Sequence, residues 1–85
     1  MRRTVRVHLF ATAREAVGRA SVAVAVPEAG LLARELIAEL ARAYPRLAPT
    51  LRASRFLRND RVVPDLESRV MPGDEFAVHP PYGGG

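Results

Sequence analysis

The sequence predicts a single α+β domain with one main helix packed across a mixed sheet. Three observations carry that prediction. Strand patterns stand at both ends of the chain, at Thr4–Phe10 and Glu75–His79. One long stretch between them repeats its apolar residues with helical spacing. A chain of 85 residues has room for only one core, since a domain of this size hides a modest share of its unfolded surface.

Each element follows from its residues. From Thr4 to Phe10, Val5, Val7 and Leu9 face one way and Arg6 and His8 the other, the alternation of a half-buried strand. Ala11–Val17 contains helix formers and stops at Gly18, which predicts a short helical turn. Ser21–Val26 alternates Val with small residues until Pro27 ends a second strand. Gly30 opens the clearest helix, in which Leu32, Leu36, Ile37, Leu40, Ala41 and Tyr44 form one apolar stripe before Pro45 closes it. Arg34, Glu35, Glu39 and Arg42 lie outside the stripe. Glu39 and Arg42 are spaced for an i,i+3 pair worth about a few tenths of a kcal/mol.

The segment from Arg46 to Ala53, with Pro49 inside it, reads as an irregular connection. Arg55–Arg58 reads as a strand, Asn59-Asp60 as a turn and Arg61–Val63 as its return, a hairpin. Pro72-Gly73-Asp74 is a second turn, leading into the last strand at Glu75–His79. This order fits a β-grasp arrangement, while strand pairing stays open because order alone does not fix it. Residues 1–79 are expected to form the domain and 80–85 a protruding tail.

Composition excludes several kinds of chemistry. There is no cysteine, so disulfides, thiolate catalysis and thiolate metal sites are absent, and any sulfur chemistry must use borrowed sulfur. The 48% apolar and 26% charged shares are those of an ordinary soluble domain. Arg6 and His8 interrupt any signal-peptide apolar region after Arg2 and Arg3, and no apolar run is long enough to span a bilayer, so the expectation is a cytoplasmic protein without membrane contact. The net charge of +4 invites a nucleic-acid reading, but all thirteen basic residues are Arg, scattered from Arg2 to Arg69 with few aromatic stacking platforms. No nucleic-acid partner is expected. Without lysine, Schiff-base and amine-nucleophile routes are closed.

Single side chains add little. His8 and His79, without thiolates or paired spacing, make no metal site. Asp74 and Glu75 suit a structural turn better than an acid–base pair. Arg14 and Glu15 suit local pairing and a partner contact equally. Phe10 and Phe76 read as core or sheet-face aromatics.

The informative feature is the tail, Pro80-Pro81-Tyr82-Gly83-Gly84-Gly85. Two prolines hold the exit extended, and three glycines make a thin thread that can enter a narrow pocket. Six extended residues reach about 20 Å at about 3.3 Å each, enough to carry a terminal carboxylate deep into another protein. A carboxylate with a pKa of about 3.3–3.7 is ionised at neutral pH and inert as an acyl donor until it is activated.

Phe10-Ala11-x-x-Arg14-Glu15 followed by Gly18, Asn59 in the hairpin, Pro72-Gly73-Asp74-Glu75, and a last strand running into Pro80-Pro81 and Gly84-Gly85 recur together over essentially the full length. In that combination the chain resembles the small subunit of molybdopterin synthase, a family of ubiquitin-like β-grasp sulfur carriers. The Gly-Gly ending alone is shared with related thiazole, cysteine and tRNA-thiolation carriers, so the alternative is a sulfur carrier for another pathway (thiamine, cysteine or tRNA thiolation) or a ubiquitin-like protein modifier. The resemblance implies a non-catalytic subunit whose Gly85 is adenylated, becomes a thiocarboxylate and donates sulfur to cyclic pyranopterin monophosphate in molybdenum cofactor synthesis. It further implies that Pro80, Pro81, Tyr82, Gly83 and Gly84 insert into a large catalytic subunit, with Phe10, Val62 and His79 as the partner-facing sheet surface. A ubiquitin-activating-like adenylyltransferase, a heterotetramer with the large subunit, no bound cofactor and ATP used by the activating partner complete the expectation. One position departs: where His79 stands, the family more often has an apolar residue.

Overall fold

In the computed structural model, which describes residues 3–81, the first strand β1 (Thr4–Leu9) buries Val5, Val7 and Leu9 and turns Arg6 outward, as its alternation requires. Helix α1 (Ala11–Val17) ends at Gly18, whose φ of +80° lets its N–H donate to the Arg14 carbonyl at 2.7 Å. Strand β2 (Ser21–Ala25) returns antiparallel to β1, with Thr4 opposite Ala25 and His8 opposite Ser21.

The main helix starts later than its stripe suggests. Gly30 does not open it; Leu31–Leu32 form a short strand, β3, and α2 covers Ala33–Ala43. The cause is a non-local pairing, since β3 runs antiparallel to β6 (Arg69–Val70), 38 positions further along the chain. With residues 31 and 32 extended, the N–H groups of Ala33 and Arg34 donate to the carbonyls of Ser68 and Leu66, and Glu35 accepts from the Leu32 amide at 2.8 Å. The orphan donors of Leu32, Ala33 and Arg34 are thereby satisfied. Leu36 and Leu40 are fully buried, with Ile37 and Ala41 packed at their flanks, so the stripe itself faces the core. Glu39 and Arg42 form the ion pair their spacing suggests.

Residues 46–53 are helical and not irregular. A 3-10 turn at Pro45–Leu47 runs into α3 (Ala48–Ala53), and both bury a leucine, Leu47 and Leu51. Pro49 lies in the first turn of α3, where its missing N–H has no intrahelical partner to lose.

Strand β4 (Arg55–Arg58) turns through Asn59 and Asp60, at φ +49° and +69°, into β5 (Arg61–Val62). The last strand, β7 (Glu75–His79), lies parallel to β1 and antiparallel to β4, giving the sheet order β2-β1-β7-β4-β5. A mixed sheet with a parallel central pair and one main helix across it is the β-grasp arrangement. Its inner face supplies Val5, Val7, Phe76 and Val78 to a core closed by Leu36, Leu40, Leu47 and Leu51. Phe56 and Phe76 stack there at 5.7 Å between ring centroids.

Candidate functional site: a groove at the exit of the last strand

The same alternation that fills the core sets the outer face of the sheet. Phe10 continues the outward series Arg6, His8; Ala77 and His79 face outward from β7, and Arg55 and Leu57 from β4. Strand pairing then brings distant residues together, because Arg55 lies opposite His79, and Leu57 lies between Ala77 on β7 and Val62 on β5.

The result is an open groove of about 780 Å³ with Phe10, Leu57 and Val62 as apolar wall, Arg55 and His79 as polar groups, and Pro80 and Pro81 at its end. The Phe10 and His79 rings stack at 4.4 Å with 17° between their planes. Phe10 remains 44% exposed and Val62 56%, although both are large apolar side chains. At the wall, Ala11 has φ +49°, a left-handed conformation that costs a non-glycine residue about 1 kcal/mol or more. From this junction the Phe10 carbonyl accepts from the Ala13 N–H at 3.0 Å, so the chain enters α1 directly behind the exposed ring.

The structure thus gathers Phe10, Val62, His79, Pro80 and Pro81 at one place. Tyr82, Gly83, Gly84 and Gly85 lie outside the described residues. Arg55 and Leu57 were not singled out in the sequence. Their signal was present, since alternation around the apolar Phe56 puts both on the outward side, but their place in the groove depends on the β4–β7 register.

The Asn59 and Pro72-Gly73-Asp74-Glu75 motifs serve the fold. Asp74 accepts from Arg58 Nε at 2.7 Å, from the Met71 N–H at 2.8 Å and from the Asn59 side-chain amide at 3.2 Å. Asn59 also accepts from the Glu75 N–H at 2.9 Å, which ties the β4–β5 turn to the start of β7. Burial by itself pushes the Asp74 carboxyl up, but the Met71 N–H, the Arg58 and Asn59 side chains and the Arg58 charge together outweigh it and hold the carboxyl below its ordinary value.

His8 meets Glu75 at 2.5 Å on the outer face, across the parallel β1–β7 pair. Among the described residues no group of three or more His, Asp or Glu side chains could hold a metal ion, and no helix is long and apolar enough to cross a membrane. Arg14 and Glu15 make no side-chain hydrogen bond or ion pair among the described residues.

The model of the ThiS family matches residues 7–85. The chain belongs to that family. It is 30% identical over 81 residues to the molybdopterin synthase sulfur carrier subunit of Dictyostelium discoideum, an alignment covering 94% of each protein. Its fold superposes with a TM-score of 0.81 on SAMP1 from Haloferax volcanii, at 28% identity over 96% of this chain and 99% of that one. A complex of subunits 1 and 2 of molybdopterin-converting factor from Helicobacter pylori superposes with a TM-score of 0.69 at 22% identity, covering 96% of this chain and 99% of the matched one. The resemblance to the small-subunit family of molybdopterin synthase is borne out, and the chain is a ubiquitin-like sulfur carrier of the ThiS type.

Proposed function

We propose that this ThiS-family chain is the sulfur-carrier subunit of molybdopterin synthase. In this reading the Gly85 carboxylate attacks the α-phosphate of ATP on a ubiquitin-activating-like adenylyltransferase, releasing pyrophosphate and forming an acyl adenylate. A sulfur nucleophile then displaces AMP to leave a terminal thiocarboxylate. The tail enters the large subunit, where its sulfur bonds to a carbon of cyclic pyranopterin monophosphate and water then cleaves the acyl–sulfur bond, regenerating the carboxylate. Carrier and large subunit assemble as a heterotetramer, and ATP is bound by the activating partner.

The single observation that carries this reading is the exposed apolar groove of Phe10, Leu57 and Val62 at the point where β7 runs into Pro80 and Pro81. A partner seated there lies directly beside the root of the tail. The identity of the Dictyostelium relative supports the choice of pathway, and the Helicobacter neighbour, a protein–protein complex of two subunits, supports the kind of partner. The test is the intact mass of the thiocarboxylated chain before and after addition of the large subunit and cyclic pyranopterin monophosphate. Loss of the sulfur-for-oxygen mass shift with appearance of molybdopterin is the expected result; a chain that stays charged contradicts it.

The likeness to SAMP1, a small archaeal modifier protein, favours a second reading, in which the activated Gly85 couples to amines of other proteins. Adducts of higher mass in cell extracts, absent when Gly85 is removed, distinguish it from sulfur transfer.

A further inference from the structure

We infer that Arg55 is the charge-selecting residue of the groove, and that the partner segment seated there is an apolar peptide carrying a carboxylate that pairs with the Arg55 guanidinium. The inference rests on the groove being a docking surface for the carrier's protein partners, and it names the chemistry of the segment that fits.

The argument starts from charge. Among the described residues Arg55 and His79 are the basic groups of the groove, and no carboxylate lines it. Two other basic groups near this face have acids, Arg58 with Asp74 and His8 with Glu75. The Arg55 side chain makes no hydrogen bond or ion pair among the described residues, and its register partner across β4–β7 is His79, which offers no negative charge. A partner that covers Phe10, Leu57 and Val62 also takes water from the neighbouring guanidinium. Leaving a permanent cation desolvated and unpaired is costly, so an occupant that fits must supply the anion. Guanidinium favours carboxylate because its planar fork donates two parallel hydrogen bonds to the carboxylate oxygens, and such a pair amid an apolar contact adds orientation as well as charge. Apolar side chains on the same segment would seat on Leu57 and Val62 while the carboxylate meets Arg55 at the β4 end of the groove. Partners with a neutral or basic segment at that point are rejected by the unpaired charge.

The test is a binding titration of the full chain against the large subunit, and separately against the adenylyltransferase, at low and high salt, with Arg55→Leu, Arg55→Glu and Arg55→Lys variants. Because Arg55 is exposed, all three are expected to fold, which thermal melts check. The expected result is that Arg55→Leu weakens binding by about tenfold and flattens its salt dependence, Arg55→Glu removes binding, and Arg55→Lys retains salt dependence with partial affinity. Arg55→Leu matching wild type in affinity and salt dependence overturns the inference while leaving the carrier reading intact. Wild type that binds neither protein overturns both. A groove that instead takes up single-stranded RNA, with loss of that binding in Arg55→Leu, also overturns the peptide assignment.

Discussion

Asp74 shows what one side chain contributes to this fold. Its carboxylate receives three donors from three separate points of the chain, Arg58, Asn59 and Met71, and these hold its pKa below the ordinary value of 3.8. A group whose pKa is lower in the folded state adds stability that is fully present above the unfolded value and is lost as pH falls through the folded one. Asp74→Asn is therefore expected to lower stability at neutral pH by about 1–2 kcal/mol, with a smaller difference from wild type at a pH below the ordinary value of 3.8. Urea midpoints at the two pH values check this. Two glycines make a second residue-scale comparison. Both have positive φ, +80° at Gly18 and +77° at Gly30, but a Cβ on Gly18 meets nothing within 4 Å, whereas one on Gly30 meets the Val70 carbonyl oxygen at 2.3 Å. Gly18→Ala should cost about 1 kcal/mol from backbone conformation alone. Gly30→Ala adds a clash with backbone that cannot swing aside, and should cost at least about 2 kcal/mol more, both read from urea midpoints.

Among the elements, the β4–β5 hairpin has a tight two-residue turn whose residues both take positive φ, at Asn59 and Asp60. Asn tolerates that conformation and its side chain is committed to the Glu75 N–H, but Asp60 makes no side-chain hydrogen bond among the described residues and Gly would adopt the same φ without strain. Asp60→Gly is expected to raise stability by about 0.5 kcal/mol, read from denaturant midpoints. Strands β1, β2, β4, β5 and β7, α1 and this turn were legible in the sequence because their signals are local: alternation in Thr4–Leu9, a glycine stop at Gly18, turn residues at 59–60. The start of α2 was not, since two leucines suit a helix or a strand equally and only their pairing with Arg69–Val70 decides. Pro49 hid α3 because a proline reads as a breaker unless its position within the first turn is known. The site divides in the same way. Outward exposure of Phe10 follows from the β1 alternation, but its neighbourhood with Val62 and Arg55 follows from the order β1-β7-β4-β5, which no local pattern contains.

At the scale of the whole molecule, the core and the candidate site separate by face. The core uses the inner side chains of the sheet and the buried stripe of α2, while the groove uses outer side chains that the core does not need. Val62 states the separation most simply: it is 56% exposed, on a two-residue edge strand, and lies in the groove wall. Val62→Asp should leave the melting temperature near that of wild type, since a surface substitution away from packing changes stability by about 0.5 kcal/mol or less. It should nevertheless weaken binding of the large subunit by more than about tenfold, because a carboxylate placed in the apolar wall is desolvated without a partner when the groove is covered. Removal of Gly85 should do the reverse, leaving docking at the groove intact while abolishing the thiocarboxylate. Calorimetric titration of both variants, with intact mass after charging, separates the two effects. Loss of docking and charging together in the Gly85 deletion would mean that the tail, and not the sheet, holds the partner.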